Sequence, residues 1–178
     1  GSPPEAEPRI YFAHHQSHAD LVMIWAALPE ELRSITRPIA ARDYWTKSDF
    51  KRWITTAVFN AVYVDRERQG DEDPLQPLID ALQSGDSLII FPEGTRGHAA
   101  EPQAFKAGLY NLALRFPDVV LVPAWIANVQ RVMPKGEVVP VPVLCSVTFG
   151  APIRLEPGEE RRAFLDRARA AVIALRDV

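Results

Sequence analysis

Short apolar runs alternate with amphipathic stretches along most of the chain. Six runs, at residues 9–13 (RIYFA), 36–41 (TRPIAA), 61–65 (AVYVD), 87–91 (SLIIF), 119–126 (VVLVPAWI) and 144–149 (LCSVTF), are short, rich in β-branched or aromatic residues and nearly continuous in hydrophobicity. Continuous rather than alternating hydrophobicity marks a strand covered on both faces. Between the runs lie helical patterns at 17–28, 48–60, 74–83, 104–115 and 157–176. In the last of these Ala163, Leu165, Ala168, Ala171, Val172 and Leu175 form one apolar stripe with charges between them. Strands that alternate with helices predict an α/β fold: a single-domain sandwich whose largely parallel mixed sheet is flanked by helices. The 16 prolines fall mainly at element ends or in 133–142 (MPKGEVVPVP), where they punctuate elements rather than break them.

Length and composition sharpen this picture. A chain of 178 residues, 47% of them hydrophobic, buries one full core, so one domain over 9–178 is expected. Residues 1–8 read as a disordered lead-in whose Gly1-Ser2 looks like a tag scar, and the whole as a domain cut from a longer protein. Twenty basic against 23 acidic residues give a net charge of -3 and no overall basic footprint, so nucleic acid is not an expected partner. Cys145 is the only cysteine, which excludes an intrachain disulfide and a cysteine-based metal cluster. Neither a signal peptide nor a run of about 18 apolar residues is visible, so this stretch does not span a bilayer by itself.

Candidate chemistry starts with HHQSHAD at 14–20, three histidines, a serine and an aspartate ahead of an apolar run. Within one helix His15 and Asp20 would stand about 140° apart and could not touch. But Ser17-His18-Ala19-Asp20 fits the capping pattern that starts a helix at Ser17, which leaves His15 on the preceding loop. From there the ring can fold back onto Asp20, which would fix its tautomer and leave the second nitrogen free as a base. Two blander readings compete: Asp20 as a mere cap beside solvated histidines, and a metal site formed by His14, His18 and Asp20.

A second cluster, Phe91-Pro92-Glu93-Gly94-Thr95-Arg96-Gly97, follows the run SLIIF. Loops at the carboxyl ends of strands in α/β sheets are where ligands bind. Gly94 and Gly97 permit close backbone approach, Arg96 offers a planar fork for phosphate, and Glu93 can hold Arg96 or accept from a substrate hydroxyl. A turn with a local Glu-Arg ion pair would account for the same residues. No Walker A pattern is present.

Taken together, the blocks resemble the glycerolipid acyltransferases of the lysophosphatidic acid acyltransferase type. That family carries an Asn-His-x-Ser-x-x-Asp block, here His14 to Asp20, and a Phe-Pro-Glu-Gly-Thr-Arg block, here Phe91 to Arg96 unchanged. Val62-Tyr63-Val64-Asp65-Arg66 looks like its intervening block and Leu121-Val122-Pro123-Ala124-Trp125 like its proline-centred strand; Phe105-Lys106-Ala107-Gly108 and 149–153 (FGAPI) also sit in order. Two positions depart: His14 replaces the usual asparagine, and Arg42-Asp43 stand where many relatives have two lysines.

The resemblance implies transfer of a fatty acyl group from an acyl thioester to the free hydroxyl of lysophosphatidic acid. His15 would be general base and Asp20 its orienting partner. Arg66 and Arg96 would hold the acceptor phosphate, with Glu93, Gly94 and Thr95 shaping the pocket around the glycerol. No metal or cofactor is implied; the acyl donor, on coenzyme A or acyl carrier protein, is a co-substrate. A peripheral membrane surface on the cytoplasmic side is implied as well, since acceptor and product are lipids. Transfer to glycerol 3-phosphate or another lysophospholipid, and a non-catalytic lipid-binding domain, are the rival readings. Trp25, Trp45 and Trp53 fall in or beside apolar helices, where packing or a lipid-facing patch would explain them. Cys145 reads as buried strand packing.

Overall fold

The computed structural model describes residues 7–17, 19–41, 48–53, 57–64, 73–97, 99–127 and 145–178. Its strands are β1 (Arg9–Ala13), β2 (Thr36–Ala41), β3 (Val62–Val64), β4 (Ser87–Ile90), β5 (Val120–Ala127) and β6 (Ser146–Phe149). Its helices are α1 (Asp20–Ala27), α2 (Glu30–Arg33), α3 (Asp49–Trp53), α4 (Gln76–Gln83), α5 (Gly108–Arg115) and α6 (Arg161–Ile173). The strands form one sheet in the order β3-β2-β4-β1-β5-β6, parallel except for β6, which runs antiparallel beside β5. The expected α/β sandwich is therefore the fold.

Both faces of the sheet are covered, and the alternation of side chains along each strand divides the core in two. Ile10, Phe12, Leu88, Ile90 and Leu121 pack on one side with Leu78 and Leu82 of α4, Leu109 and Leu112 of α5, and Phe164, Ala168 and Val172 of α6. Tyr11, Ala13, Ile89, Val122 and Ala124 face the other side, against Ile24 of α1 and Leu28. This explains why the central strands read as continuous apolar runs: β4 buries every position, and β1 and β5 all but one.

The central register decides where function can sit. β1 lies between β4 and β5, with Phe12 opposite both Ile90 and Pro123. All three strands run in the same direction, so the loops that follow Ala13 and Ile90 leave the sheet side by side at its carboxyl edge. Residues nearly 80 positions apart become neighbours for that reason alone.

Some expected boundaries move. α1 begins at Asp20 rather than Ser17, α5 at Gly108 rather than 104, and α6 at Arg161 rather than 157, while the one-turn α2 was not expected. The helix expected over 48–60 is described as Asp49–Trp53 with helical backbone again at 57–58, and Asn60 at its far end takes the left-handed conformation with φ 47°. Trp53 is 59% exposed and stacks on Phe50, itself 68% exposed, so packing does not explain it. Trp25 is half-buried, edge-on to Phe59. Cys145 is half-buried and precedes β6, outside the strand that was to hold it. Trp45, Arg42, Asp43 and residues 128–144 lie outside the described residues.

Candidate active site

Strand alternation continued past Ala13 sends two successive histidines to opposite sides of the sheet. His15 turns toward the α1 side, where its ring stacks on Phe91 at 4.2 Å between centroids. Its Nδ1 lies 2.9 Å from Asp20 Oδ2, at the first residue of α1. A carboxylate can only accept, so Nδ1 carries a proton, and in the singly protonated ring Nε2 is then the nitrogen with the free lone pair. Nε2 has no hydrogen-bond partner among the described residues, and the ring is only slightly exposed.

The capping pattern is realised in altered form. Asp20 Oδ2 also accepts from the backbone amides of Gln16 at 2.7 Å and Ser17 at 2.8 Å, while Ser17 Oγ accepts from Ala19 N–H at 3.2 Å. Only half of the capping box forms, Ser17 N–H to Asp20 Oδ2, while Asp20 N–H binds the Ser17 carbonyl oxygen; the bonds to Asp20 bend the loop so that His15 faces it. Cap and orienting partner are the same oxygen. Oδ1 is buried and makes no hydrogen bond.

This arrangement predicts the effect of Asp20→Asn. An amide oxygen in the Oδ2 position keeps the three donors satisfied but carries no charge to stabilise an imidazolium, and its NH₂ takes the place of the unpartnered Oδ1. Stability should fall by about 1–3 kcal/mol, the cost of a buried NH₂ left without an acceptor, and turnover by about a hundredfold, the low end of the worth of a positioned base. Thermal unfolding beside steady-state rates checks this; lost stability at an unchanged rate would leave Asp20 as a cap only.

His14 turns to the opposite side, against Trp125 at 5.7 Å between ring centroids. Its Nδ1 lies 2.7 Å from Glu93 Oε1 and its Nε2 3.2 Å from the carbonyl oxygen of Ala99. Both neighbours are acceptors, so both ring nitrogens donate together only from the doubly protonated ring. The alternative metal site does not assemble around His14 and Asp20, which point into different partners; His18 lies outside the described residues.

Glu93 is the largest departure from expectation. It is 1% exposed, and its carboxylate points into the protein rather than toward Arg96 or a ligand. Oε1 accepts from the His14 ring and from His15 N–H at 2.9 Å, and Oε2 accepts from Gln103 N–H at 2.8 Å. Burial pushes its pKa up, but the hydrogen bonds from His14, His15 and Gln103 and the charge of His14 outweigh burial and hold it below the usual carboxylate value. Glu93 therefore ties the Phe91–Gly97 turn to the backbone of His15. A second tie, Gly97 N–H to His15 O at 2.8 Å, closes the same seam.

Gly94, Thr95 and Arg96 form the outer, exposed part of this turn, with Gly94 at φ 73°. Arg96 has no ion pair or hydrogen bond with a described residue, so the local Glu-Arg pair considered from sequence does not form. Arg66 lies outside the described residues. The structure thus brings His15, Asp20, Glu93 and the Gly94–Arg96 turn to one edge of the sheet, with Glu93 as an internal support. Sequence reasoning missed His14, Gln103 and Trp125 as parts of it. The one available signal was the adjacent His-His pair, since strand alternation gives two successive side chains opposite faces.

Comparison with known proteins adds family and fold. The sequence profile of the family described as Acyltransferase matches residues 2–127. The chain is similar to 1-acyl-sn-glycerol-3-phosphate acyltransferase alpha of Homo sapiens, with 29% identity over 97% of this chain and 60% of that protein. It is similar to Taffazin of Dictyostelium discoideum, with 30% identity over 76% of this chain and 50% of that protein. It therefore spans 60% or less of these relatives. Among solved structures it resembles the 1-acyl-sn-glycerophosphate (LPA) acyltransferase PlsC from Thermotoga maritima, with a TM-score of 0.73 and 22% identity, covering 98% of this chain and 67% of that one.

Proposed function

The chain belongs to the Acyltransferase family, and from that membership we propose that it transfers a fatty acyl group from an acyl thioester to the free hydroxyl of lysophosphatidic acid. The observation that carries this reading is the Asp20–His15 pair at 2.9 Å, set against the turn that bears Arg96. Relatives whose names include 1-acyl-sn-glycerol-3-phosphate acyltransferase support the acceptor.

In this reading His15 Nε2 takes the hydroxyl proton as the acceptor oxygen bonds to the thioester carbonyl carbon. The imidazolium so formed is stabilised by Asp20 and returns that proton to the sulfur as the C–S bond breaks. General-base help of this kind contributes roughly 10² to 10⁴ in rate. Arg96, with Arg66 as the second expected cation, holds the acceptor phosphate and so sets the hydroxyl against the base, a large term in its own right. Neither a metal nor an acyl-enzyme enters the scheme. The donor is a thioester of coenzyme A or acyl carrier protein.

The same reading places the protein at the cytoplasmic face of a membrane as a peripheral enzyme. Among the described residues no helix is long and apolar enough to cross a membrane. The exposed, stacked Phe50 and Trp53 support peripheral contact, since aromatic side chains favour the water–lipid interface.

A radiolabelled acyl-transfer assay with a panel of glycerol phosphate and lysophospholipid acceptors tests the proposal; transfer to none of them would overturn it. Within that assay Arg96→Ala should raise the KM of the phosphorylated acceptor roughly 10- to 100-fold, the worth of a hydrogen bond to a charged group. The KM of the thioester should stay put. Equal effects on both substrates would contradict a phosphate role for Arg96.

A further inference from the structure

The turn that carries Arg96 holds a second cation that the reading above does not use. Lys106 is fastened to this turn by its backbone, N–H to Pro92 O at 2.8 Å, and the turn is closed by Gly94 N–H to Phe91 O at 3.0 Å. The Lys106 side chain then lies across the turn. A Cβ built on Gly94 would stand 2.8 Å from Lys106 Nζ, 2.9 Å from its Cδ and 3.1 Å from its Cε. Gly94 is favoured by its φ of 73°, and the Lys106 side chain lies close over its backbone, where an exposed lysine could move aside for a Cβ.

Charge bookkeeping on the segment shows what the ammonium group faces. Only two carboxylates occur between residues 91 and 107, those of Glu93 and Glu101. Glu93 is turned inward with both oxygens occupied by protein donors. Glu101 faces α6, where it pairs with Arg169 at 3.7 Å and Arg176 at 3.2 Å. Lys106 and Arg96 are exposed, and neither has an ion pair or hydrogen bond with a described residue. Among the described residues, two cations thus stand uncompensated on one turn, although the chain as a whole is net negative. The turn is also bracketed by contacts to the base, through Phe91 stacked on His15 and Gly97 N–H bonded to His15 O.

We propose that Lys106 joins Arg96 in binding the anionic group of the acceptor and thereby sets the preference for a phosphorylated over an uncharged acceptor. This rests on the reading of the site as an acyltransferase centre. A flexible ammonium group beside a planar guanidinium suits a phosphate monoester: the fork fixes two oxygens and the point charge follows the third. A lysine serving only as apolar cover for Gly94 would do its work through the stem, and that difference is measurable.

The test compares Lys106→Met, which keeps an apolar stem and removes the charge, with Lys106→Arg, which keeps the charge. Acyl transfer is measured with lysophosphatidic acid and with a monoacylglycerol of the same chain length, which lacks only the phosphate. Lys106→Met should raise the KM of lysophosphatidic acid about tenfold, the low end for a hydrogen bond to a charged group. It should leave the KM of the thioester and the activity on monoacylglycerol within about twofold of the parent, and Lys106→Arg should recover most of the loss. An unchanged KM in Lys106→Met, or equal losses on both acceptors, overturns the assignment. Calorimetric titration of the same two lipids into parent and variant decides the point independently of turnover. A tenfold loss of lysophosphatidic acid binding upholds the Lys106 site even where no acyl transfer is seen, and that absence would count against the catalytic reading alone.

Discussion

Replacing His15 by alanine is expected to lower acyl transfer by about 10² to 10⁴, the contribution of a positioned general base, while leaving the fold intact. The geometry separates the two effects. The ring stacks on Phe91 at the carboxyl edge of the sheet and is only about a tenth exposed, so its loss leaves a local cavity there but takes no side chain out of either hydrophobic cluster. The backbone bonds that shape the loop belong to other groups: Glu93 still accepts the amide of residue 15, and Asp20 still accepts those of Gln16 and Ser17. Circular dichroism should therefore stay that of the folded parent, with the unfolding temperature only modestly lowered, while the rate collapses. Near-normal turnover in this variant would remove His15 as the base, whatever the family membership.

How far the sequence reaches is visible in the same loop. The His15–Asp20 contact was legible because it is local: five residues, a capping pattern and a ring that must lie outside the helix. Strand positions were legible to within a residue or two because a strand buried on both faces has no polar position to blur its ends. Helix starts were not. At α5 and α6 the expected helix overran its true beginning by four residues, and at α1 by three. Those leading residues do loop work instead. At α5, Lys106 N–H binds the Pro92 carbonyl oxygen, and the buried Phe105 meets Phe12 edge-on at 6.2 Å. An apolar residue that plugs the sheet from a loop carries the same periodic signal as one on a helix.

The orientation of Glu93 lay beyond the sequence for a different reason. Its three donors are a neighbouring loop's ring and amide, 79 and 78 residues away, and an amide ten residues on. Nothing in FPEGTR distinguishes a carboxylate that meets Arg96 from one that turns inward. The register of β1 against β4 makes that choice, by bringing His14 and His15 beside the turn.

Because of that register, Glu93→Gln is expected to damage both stability and rate. The carboxylate satisfies three donors with two oxygens and is fully buried. A glutamine amide supplies one acceptor oxygen. If that oxygen serves His14 and the His15 amide, its NH₂ group opposes the N–H of Gln103, leaving two donors face to face; flipped, it opposes the other two. Leaving buried donors opposed in this way costs on the order of 1–3 kcal/mol, set against the roughly 5–15 kcal/mol that holds a domain together. The pH dependence gives a signature that generic damage would lack. Glu93 has a lower pKa in the folded protein than in the unfolded chain, so ionisation contributes stability that is fully present above the ordinary carboxylate value and lost as the pH falls through the lowered one. Denaturant midpoints of the parent should therefore fall on acidification below about pH 5, and Glu93→Gln should lack that share of the slope. Activity follows by a separate route. With the tie to His15 N–H weakened, the base and the Arg96 turn lose their fixed spacing, and kcat should drop by about 10² even at temperatures where the variant is folded. Should Glu93→Gln keep its parent's acid sensitivity and its kcat, the carboxylate would be neither the support of the loop nor the link between its two halves.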